Sequence, residues 1–395
     1  MKGGKSMQNF NYCTPTKLIF GKGSIQALPS ELEKHGRRIL LTYGGGSIKK
    51  TGLYDKVKGL LDANGFEVYE LGGIEPNPKY TTSVLGGVRI CKEHNIDAVL
   101  AVGGGSVLDC SKAICAGALY DGEPWDLITY KAKAEKALPL VDVLTLAATG
   151  SEYDSGCVIS RTETNDKVGY LDEHLYPAAS ILDPQYTFSV SAKQTAAGAA
   201  DAINHVIEQY FCGEHTALAD GMCESVIKSI ISSARAALKG PDDYNARGEM
   251  MVCCSLACNG ILSVGNSPSG WPCHAIEHAL SAYYDITHGE GLAIITPRWM
   301  KHILNDRSIE RFVSFGTHIF GIDPSLPRER IAEKTIDELY KLFESMGMPM
   351  HLKDVGIDES RIGEMARHIA ENEGLESAWM PLCEQDIAEI LESSL

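Results

Sequence analysis

The first half of the chain alternates short apolar runs with segments of helical periodicity. The apolar runs lie at Arg38–Tyr43, Phe66–Leu71, Asp97–Val102 and Leu138–Leu146, and helix-compatible segments separate them. Short strands that alternate with helices are typical of parallel sheets with crossover helices. This half is therefore predicted to form an α/β domain with a Rossmann-like parallel sheet.

The pattern changes after Asp183-Pro184, where long Ala-rich amphipathic stretches replace the strand-like runs. Apolar residues at helical spacing predict helices. These helices are predicted at Thr195–Phe211, Ala217–Leu238, Ala246–Ile261, His274–Ala282, Arg328–Met346 and Ser360–Ala370. Because proline disfavours a continued helix or central strand, we expect a boundary near residue 190. The predicted domains are an α/β domain over 1–189 and an all-helical domain over 190–395.

A glycine turn follows the third apolar run. Gly103-Gly104-Gly105-Ser106 stands after Ile96–Val102 and before a helix-compatible segment that begins at Val107. Glycines let backbone N–H groups approach a pyrophosphate, and a helix N-terminus adds partial positive charge. Leu108 occupies the place of the third glycine in the dinucleotide-binding fingerprint, so a plain tight turn remains an alternative.

A second glycine turn, Gly44-Gly45-Gly46-Ser47, follows the strand predicted at Ile39–Tyr43 and precedes Lys49 and Lys50. No acidic residue stands at its tip, where a carboxylate would bind the ribose 2′-hydroxyl of NAD. Small residues beside lysines leave room for a 2′-phosphate, which predicts NADP(H) in preference to NAD(H). The alternative is that the two lysines are simply a solvated helix face.

Two predicted helices carry metal-capable side chains four residues apart. These are Asp201 with His205 and His274 with His278, and His288 follows in what we predict to be a glycine-rich turn. Positions i and i+4 share one helix face, so each pair can point into one cavity. Four of the five side chains would make an Asp/His/His/His set, which suits iron(II), zinc, cobalt or nickel. An N-cap or salt bridge is the alternative for Asp201.

Composition narrows the classes of function. The 395 residues carry a net charge of −16, which disfavours nucleic-acid and anionic-membrane partners. The twelve cysteines include no CxxC pair and lie largely in apolar runs, as buried thiols do. No apolar run reaches the length of a membrane span, and residues 1–6 lack the apolar centre of a signal peptide. We expect a cytoplasmic protein and assign residues 1–6 no role in the fold.

Longer motifs make the chain resemble the iron-containing (group III) alcohol dehydrogenases, and within them the NADPH-dependent butanol dehydrogenase branch. In the first half these motifs are Pro15-Thr16-Lys17, Phe20-Gly21-Lys22-Gly23, Tyr43-Gly44-Gly45-Gly46-Ser47, Glu75-Pro76-Asn77-Pro78, Gly103-Gly104-Gly105-Ser106 with Asp109, and Thr149-Gly150-Ser151-Glu152. In the second half they are Ala200-Asp201-Ala202-Ile203-Asn204-His205, His274-Ala275-Ile276-Glu277-His278 and Thr287-His288-Gly289-Glu290-Gly291. The resemblance implies a dehydroquinate synthase-like architecture and hydride transfer between NADP(H) and a small primary alcohol or aldehyde such as butanol or butanal.

The resemblance also implies roles for individual residues. The implied ligands of one divalent metal, Fe(II) or Zn, are Asp201, His205, His274 and His288. His278 is left beside the site as a proton-handling group, or as a support for the ligands. Besides Gly44, Gly45 and Ser47, the implied nucleotide contacts are Gly104, Gly105, Ser106 and Asp109 at the phosphates and Asn77, Thr145, Thr149, Ser151 and Lys167 along the molecule.

Two other functions stay open at this point. One is an NAD- and zinc-dependent enzyme similar to glycerol dehydrogenase, and the other is a non-catalytic protein that binds metal and nucleotide. A homodimer is expected, because the family commonly forms dimers and the segment Asn9–Phe20 has an extended apolar pattern suited to edge pairing.

Overall fold

A computed structural model of the protein describes residues 7–395, so the expectation for residues 1–6 lies outside the described residues. The elements of the first half are β1 (Lys17–Phe20), α1 (Leu28–Leu32), β2 (Arg38–Gly44), α2 (Ser47–Lys50), α3 (Leu53–Ala63), β3 (Glu67–Ile74), α4 (Leu85–His94), β4 (Ala98–Gly103), α5 (Gly105–Ala118), α6 (Pro124–Ile128), β5 (Leu140–Leu144), β6 (Gly156–Arg161), β7 (Asp166–Leu171) and β8 (Ala179–Leu182). Nine longer helices follow. They are α7 (Ala192–Tyr210), α8 (Ala217–Lys239), α9 (Tyr244–Cys258), α10 (Pro272–Tyr284), α11 (His288–Ile303), α12 (Ile309–Phe320), α13 (Arg328–Ser345), α14 (Ile362–Asn372) and α15 (Glu384–Glu392).

The chain forms two compact units. The sheet unit consists of Cys13–Ser191 and Gly240–Asn259, and the helical unit consists of residues 7–12, Ala192–Lys239 and Gly260–Leu395. The change after Ser191 lies beside the junction predicted near residue 190. Helix α9, predicted as part of the helical second half, belongs to the sheet unit. We therefore propose two domains and assign α9 to the first of them.

The sheet unit contains six parallel strands in the order β1-β8-β5-β4-β2-β3, and β6 and β7 form a separate antiparallel pair. Strand β4 is buried along its whole length, as expected for a central strand with helices on both faces. Alternate residues of β2, including Ile39 and Leu41, pack with α3 residues Val57 and Leu61 in one apolar core. The α/β prediction for the first half is confirmed.

The helical unit is built from amphipathic and fully buried helices. Helix α7 is buried from Thr195 to its end at Tyr210, which explains its Ala-rich sequence, since small side chains allow neighbouring helices to approach. Residues 192–395 contain no strand, so the all-helical prediction is confirmed. The predicted glycine-rich turn at His288 is wrong, because His288 is the first residue of α11.

Candidate active site

Helix α7 places an acid and an imidazole one turn apart in an apolar segment. Asp201 and His205 are 3 % and 5 % exposed, and His205 Nε2 lies 3.3 Å from Asp201 Oδ1. Their neighbours Ala200, Ala202 and Ile203 are fully buried. Burying an ionised carboxylate is costly unless a cation or hydrogen-bond donors compensate it. The helix therefore presents a buried polar pair that requires partners from other elements.

Helices α10 and α11 bring two further imidazoles to the same carboxylate oxygen. His274 Nε2 lies 3.7 Å and His288 Nε2 lies 3.6 Å from Asp201 Oδ1. The rings of His205 and His274 are stacked, with centroids 4.9 Å apart and an angle of 14° between their planes. Three imidazole Nε2 atoms thus converge on one carboxylate, and we name Asp201, His205, His274 and His288 the four-residue cluster.

The four-residue cluster fits a divalent metal ion in two respects: the distances between its ligand atoms, and two buried ligand atoms that make no hydrogen bond. Bonds of about 2.0–2.2 Å around a tetrahedral ion separate its ligand atoms by roughly 3.3–3.6 Å. The distances of 3.3, 3.7 and 3.6 Å from Asp201 Oδ1 match that range closely. Asp201 Oδ1 and His274 Nε2 are buried and have no hydrogen-bond partner among residues 7–395. An ion bound there would satisfy both atoms.

Two buried glutamates that we did not predict orient the imidazoles. Glu208 of α7 accepts a hydrogen bond from His274 Nδ1, and Glu277 of α10 accepts one from His288 Nδ1. Both glutamates are 0 % exposed. A carboxylate on Nδ1 fixes the imidazole tautomer that leaves Nε2 free to bind metal. The sequence signal was a glutamate three residues after His205 and another three residues after His274, on the same helix faces.

Burial and charge set the protonation of this cluster when no ion is bound. Burial favours neutral Asp201, but the surrounding imidazoles outweigh it and hold the pKa of Asp201 well below its usual range. Burial lowers the pKa of His205 to about 3. Burial also disfavours the protonated form of His274, but the carboxylates of Glu208 and Asp201 outweigh this effect and raise the pKa of His274 to about 9. At neutral pH the ion-free cluster therefore holds an ionised Asp201, a neutral His205 and a protonated His274.

His278 lies beside the four-residue cluster. Its ring centroid is 5.6 Å from that of His288 and 6.4 Å from that of His274. One ligand atom each of His278, Glu277 and His288 lie within 4.8 Å of one another. His278 is partly exposed, in contrast to His205 and His274. His278 thus stands next to the four-residue cluster without belonging to it.

In the sheet unit, both predicted glycine turns stand at the carboxyl ends of adjacent parallel strands. Gly44 ends β2 and Gly103 ends β4, and these strands pair with each other. A Cβ on Gly44 would lie 3.7 Å from Val107 of α5, so the two turns are close together. Ligands of open α/β sheets bind in the crevice outside the carboxyl ends of the strands. The turns occupy that place.

The Gly103–Ser106 turn is packed too tightly for side chains. A Cβ on Gly105, the first residue of α5, would lie 2.5 Å from Thr149 Oγ1, and one on Gly104 would lie 3.0 Å from Leu146 Cβ. Thr145 N donates to the carbonyl of Gly103 at 2.9 Å. Glycine is therefore required for the residues around 145–149 to lie against the turn, so Thr145 and Thr149 stand beside Gly104, Gly105 and Ser106.

The remaining nucleotide-site candidates fall into two groups. Ser151 Oγ donates to Asp109 Oδ1 at 2.7 Å, and Val158 N donates to Asp109 Oδ2 at 3.0 Å, so both carboxylate oxygens of Asp109 hold neighbouring backbone segments. Lys167 is buried on β7 opposite Ser160. Ser160 N in turn donates to the carbonyl of Pro78. Asn77, the residue before Pro78, adopts a left-handed φ of 49°.

A buried lysine that we did not predict supports the same region. Lys112 of α5 is 0 % exposed, and its Nζ donates to Asp154 Oδ1 at 2.7 Å, to the carbonyl of Asp154 at 3.0 Å and to that of Gly156 at 2.7 Å. Glu152 accepts a hydrogen bond from Ser255 of α9. Burial raises the pKa of Glu152 to about 7. These bonds anchor the 149–156 loop to α5 and α9.

Both halves of the chain match models of one protein family. Residues 15–184 match the model described as iron-containing alcohol dehydrogenase, and residues 195–395 match that of the C-terminal part of the Fe-containing alcohol dehydrogenase family. The chain belongs to the iron-containing alcohol dehydrogenase family. It is accordingly an NAD(P)-dependent oxidoreductase that acts on alcohols or aldehydes and binds a metal.

Individual relatives of this iron-containing alcohol dehydrogenase cover nearly the whole chain. NADH-dependent butanol dehydrogenase A of Clostridium acetobutylicum is 46 % identical over 98 % of this chain and 100 % of its own length. NADPH-dependent aldehyde reductase YqhD of Escherichia coli is 39 % identical over 93 % of this chain and 94 % of its own. The crystal structure of NADH-dependent butanol dehydrogenase A from Thermotoga maritima, 39 % identical, superposes with a TM-score of 0.94 and covers 98 % of this chain and 99 % of its own.

These relatives support the predicted dehydrogenase function over the two alternatives, a glycerol dehydrogenase-like enzyme or a non-catalytic binding protein. They include both NADH-dependent and NADPH-dependent enzymes, so they do not choose between the two nucleotides. Among residues 7–395, no helix is both long and apolar enough to cross a lipid bilayer.

Proposed function

We propose that this iron-containing alcohol dehydrogenase reduces small primary aldehydes such as butanal, and oxidises the corresponding alcohols, with NADP(H) as its preferred nucleotide. The observation that carries the proposal is the convergence of three imidazole Nε2 atoms on Asp201 Oδ1, at 3.3, 3.7 and 3.6 Å. Carbonyl reduction requires a group that stabilises negative charge developing on the substrate oxygen. The glycine turns at the ends of β2 and β4 suit the nucleotide that carries the hydride.

Each residue of the metal site has a defined task in this proposal. Asp201, His205, His274 and His288 would hold one Fe(II) or Zn ion. Bound there, the ion supplies Lewis acidity that polarises an aldehyde carbonyl or lowers the pKa of an alcohol. Glu208 and Glu277 keep the Nδ1 protons of His274 and His288 engaged, so that each Nε2 faces Asp201.

We assign His278 to proton handling beside the ligands. Its partial exposure gives it access to solvent, and its ring lies 5.6 Å from that of His288. Replacement by glutamine keeps a polar side chain of similar reach but removes the titrating group. His278→Gln should therefore retain the metal while losing the ionisation that His278 contributes to the pH profile of kcat. A variant with an unchanged pH profile would leave His278 with a supporting role only.

The preference for NADP(H) is supported by the open tip of the first turn. A Cβ on Gly45 or Gly46 would meet no atom within 4 Å, so space remains beside the backbone. Lys49 bears on this point as well. Its Nζ donates to Tyr43 Oη at 3.0 Å and lies 4.7 Å from the centroids of the Tyr43 and Tyr54 rings. This lysine is thus held close to the turn by aromatic rings, unlike a freely solvated side chain.

The deciding experiment measures the initial rate of butanal reduction by metal-stripped protein after addition of iron(II), under anaerobic conditions, or of zinc. NADPH and NADH are compared with each ion. Restored activity with a higher kcat/KM for NADPH is expected, and the ion that restores more activity identifies the metal. Equal or better use of NADH would refute the nucleotide preference alone. Failure with every ion and nucleotide would refute the aldehyde reductase activity.

We also propose that the protein is a homodimer that pairs through the outer edge of β1. This strand pairs with β8 on one side and is the last strand of the sheet. Phe20, the last residue of β1, is 47 % exposed, and a partner strand would cover this apolar side chain. Light scattering should give twice the chain mass for the native protein and a lower mass for Phe20→Asp. An unchanged dimer in that variant would exclude Phe20 from the interface.

A cytoplasmic location is proposed from the cysteines. None of the twelve cysteines forms a disulfide, and nine are buried. Disulfides form and persist in oxidising compartments and are rare in the cytosol. Fractionation of the native cells, followed by thiol counting on the recovered protein, tests this location.

A further inference from the structure

The residue before α10 has a backbone conformation that its side chain disfavours. Trp271 adopts φ 52° and ψ 48°, the left-handed region that bulky residues rarely enter. It also occupies the N-cap position of α10, where Ser, Thr, Asp or Asn would supply a capping oxygen. Glycine or asparagine would suit the backbone, and asparagine would suit the cap. Tryptophan suits neither, so the reason for it lies in the indole.

The capping that Trp271 cannot provide comes from another helix. Glu208 of α7 accepts hydrogen bonds from Cys273 N at 2.6 Å and from His274 N at 3.3 Å. These are the second and third residues of α10, whose N–H groups a cap normally satisfies. The carbonyl of Trp271 accepts a hydrogen bond from Ala275 N at 3.0 Å, but its side chain makes no capping bond. The indole is therefore not needed to cap α10.

Neighbouring backbone holds the strained residue in place. In the preceding loop, Ser267 N donates to the carbonyl of Glu214 at 2.8 Å, and Trp379 N donates to the carbonyl of Ser269 at 3.1 Å. Strained residues persist only where the surrounding structure determines their conformation, and they occur preferentially at functional sites. The loop is thus tied at two points just before Trp271.

The indole of Trp271 lies directly against the metal-site imidazoles. Its ring centroid is 5.1 Å from that of His274 and 5.9 Å from that of His205, with both pairs edge to face. Trp271 is partly exposed, whereas both histidines are buried. The indole therefore lies beside the two imidazoles whose Nε2 atoms face Asp201, and the residue is not fully closed off from solvent.

We propose that Trp271 is a specificity-determining residue, whose indole forms the apolar surface on which the alkyl chain of the substrate lies when its oxygen is at the metal site. The assignment rests on the proposed aldehyde reductase function and names the substrate class as unbranched aldehydes without hydroxyl groups. On an aromatic surface, each methylene of the substrate that is shielded from water increases the affinity for the aldehyde by about fourfold. A hydroxyl group on the chain brings no such gain, because it loses its hydrogen bonds to water there.

The test compares kcat/KM for ethanal, propanal, butanal and glycolaldehyde in the wild type, Trp271→Gly and Trp271→Phe. In the wild type we expect kcat/KM to rise about fourfold per methylene, hence about 16-fold from ethanal to butanal. In Trp271→Gly the same series should rise less than about fourfold, and glycolaldehyde should gain relative to propanal; Trp271→Phe should lie between the two. Metal content should be kept, and Tm should change little, because glycine accepts the left-handed backbone and this gain offsets the packing lost with the indole.

Tyr130→Gly is the matched control. Tyr130 is another aromatic residue with a left-handed φ, 57°, but it belongs to the sheet unit and bonds to Gly169 and Leu171. Its replacement should leave the ratio between aldehydes unchanged. A Trp271→Gly protein that loses metal, or loses activity equally for every aldehyde, would overturn the specificity role and make Trp271 a packing residue. A wild type without turnover of any aldehyde would instead refute the proposed function, and the specificity role with it.

Discussion

The contact between α7 and α11 depends on one glycine, and alanine at that position should disable the metal site. A Cβ on Gly289 would lie 2.0 Å from the carbonyl oxygen of Ala197, 2.7 Å from its carbonyl carbon and 3.0 Å from its Cα. All three atoms are backbone atoms of α7, so no side chain can rotate away. Gly289 follows the cluster residue His288, and Ala197 lies one turn before the cluster residue Asp201.

The size of the effect follows from these distances. The helices must separate locally by roughly 1 Å before a methyl group fits at ordinary contact distance. Metal–ligand distances tolerate changes of only about 0.2 Å. His288 Nε2, now 3.6 Å from Asp201 Oδ1, would move out of ligand range. We expect Gly289→Ala to weaken metal binding by at least about 100-fold and to lower the free energy of unfolding by about 1–3 kcal/mol.

Competition with a chelator measures the first quantity, and urea unfolding measures the second. Gly221→Ala is the control, because Gly221 is also inside a helix, α8, but a Cβ there would meet no atom within 4 Å. That variant should bind metal normally and gain about 0.5–1 kcal/mol of stability. Wild-type metal affinity and stability in Gly289→Ala would refute this role of Gly289.

Three further predictions concern charge. Glu277→Gln should weaken metal binding about 10–100-fold with little change in Tm, measured by chelator competition, and wild-type affinity in that variant would contradict the orienting role of Glu277. Metal binding near neutral pH should release about one proton, and the affinity should increase up to about pH 9, because the pKa of ion-free His274 is raised to about 9. Calorimetry in buffers of different ionisation enthalpy measures the proton release. A metal affinity that does not depend on pH would exclude this linkage. The Arg38 guanidinium outweighs partial burial and lowers the pKa of Asp97 from 3.8 to about 2. The Arg38–Asp97 pair therefore stabilises the fold at pH values above the unfolded pKa of Asp97, and this stabilisation is lost as the pH falls towards 2. Asp97→Asn should therefore cost about 1–2 kcal/mol near pH 7 and less near pH 3 in urea unfolding, and an equal cost at both would refute the linkage.

Local periodicity was sufficient to predict most elements. The strand predicted at Arg38–Tyr43 extends to Gly44, and the helix predicted at Ala217–Leu238 extends by one residue. Burial on one side of a strand or helix repeats with the period of that element, so the pattern is visible without the partner. The same reasoning showed that Asp201 and His205 share one helix face.

Local pattern failed where a neighbouring element decides the outcome. Two glycines next to His288 indicated a turn, but α11 continues through Gly289 because only glycine allows it to lie against Ala197. Helix α9 has the periodicity of a helix in any environment, and only tertiary contacts place it in the sheet unit, where Ser255 donates to Glu152.

The sequence by itself determined the α/β and all-helical halves, the glycine turns after strands and the metal-capable pairs on single helix faces, because each of these is encoded within a few residues. Only the tertiary structure decided which side chains meet. His274 and His278 share a helix face, yet His274 turns its Nε2 to Asp201 while His278 lies beside His288. The packing of α7, α10 and α11 decides this, because the periodicity of a sequence predicts the face of the helix on which a side chain lies. It does not predict which residue of another helix that side chain will contact.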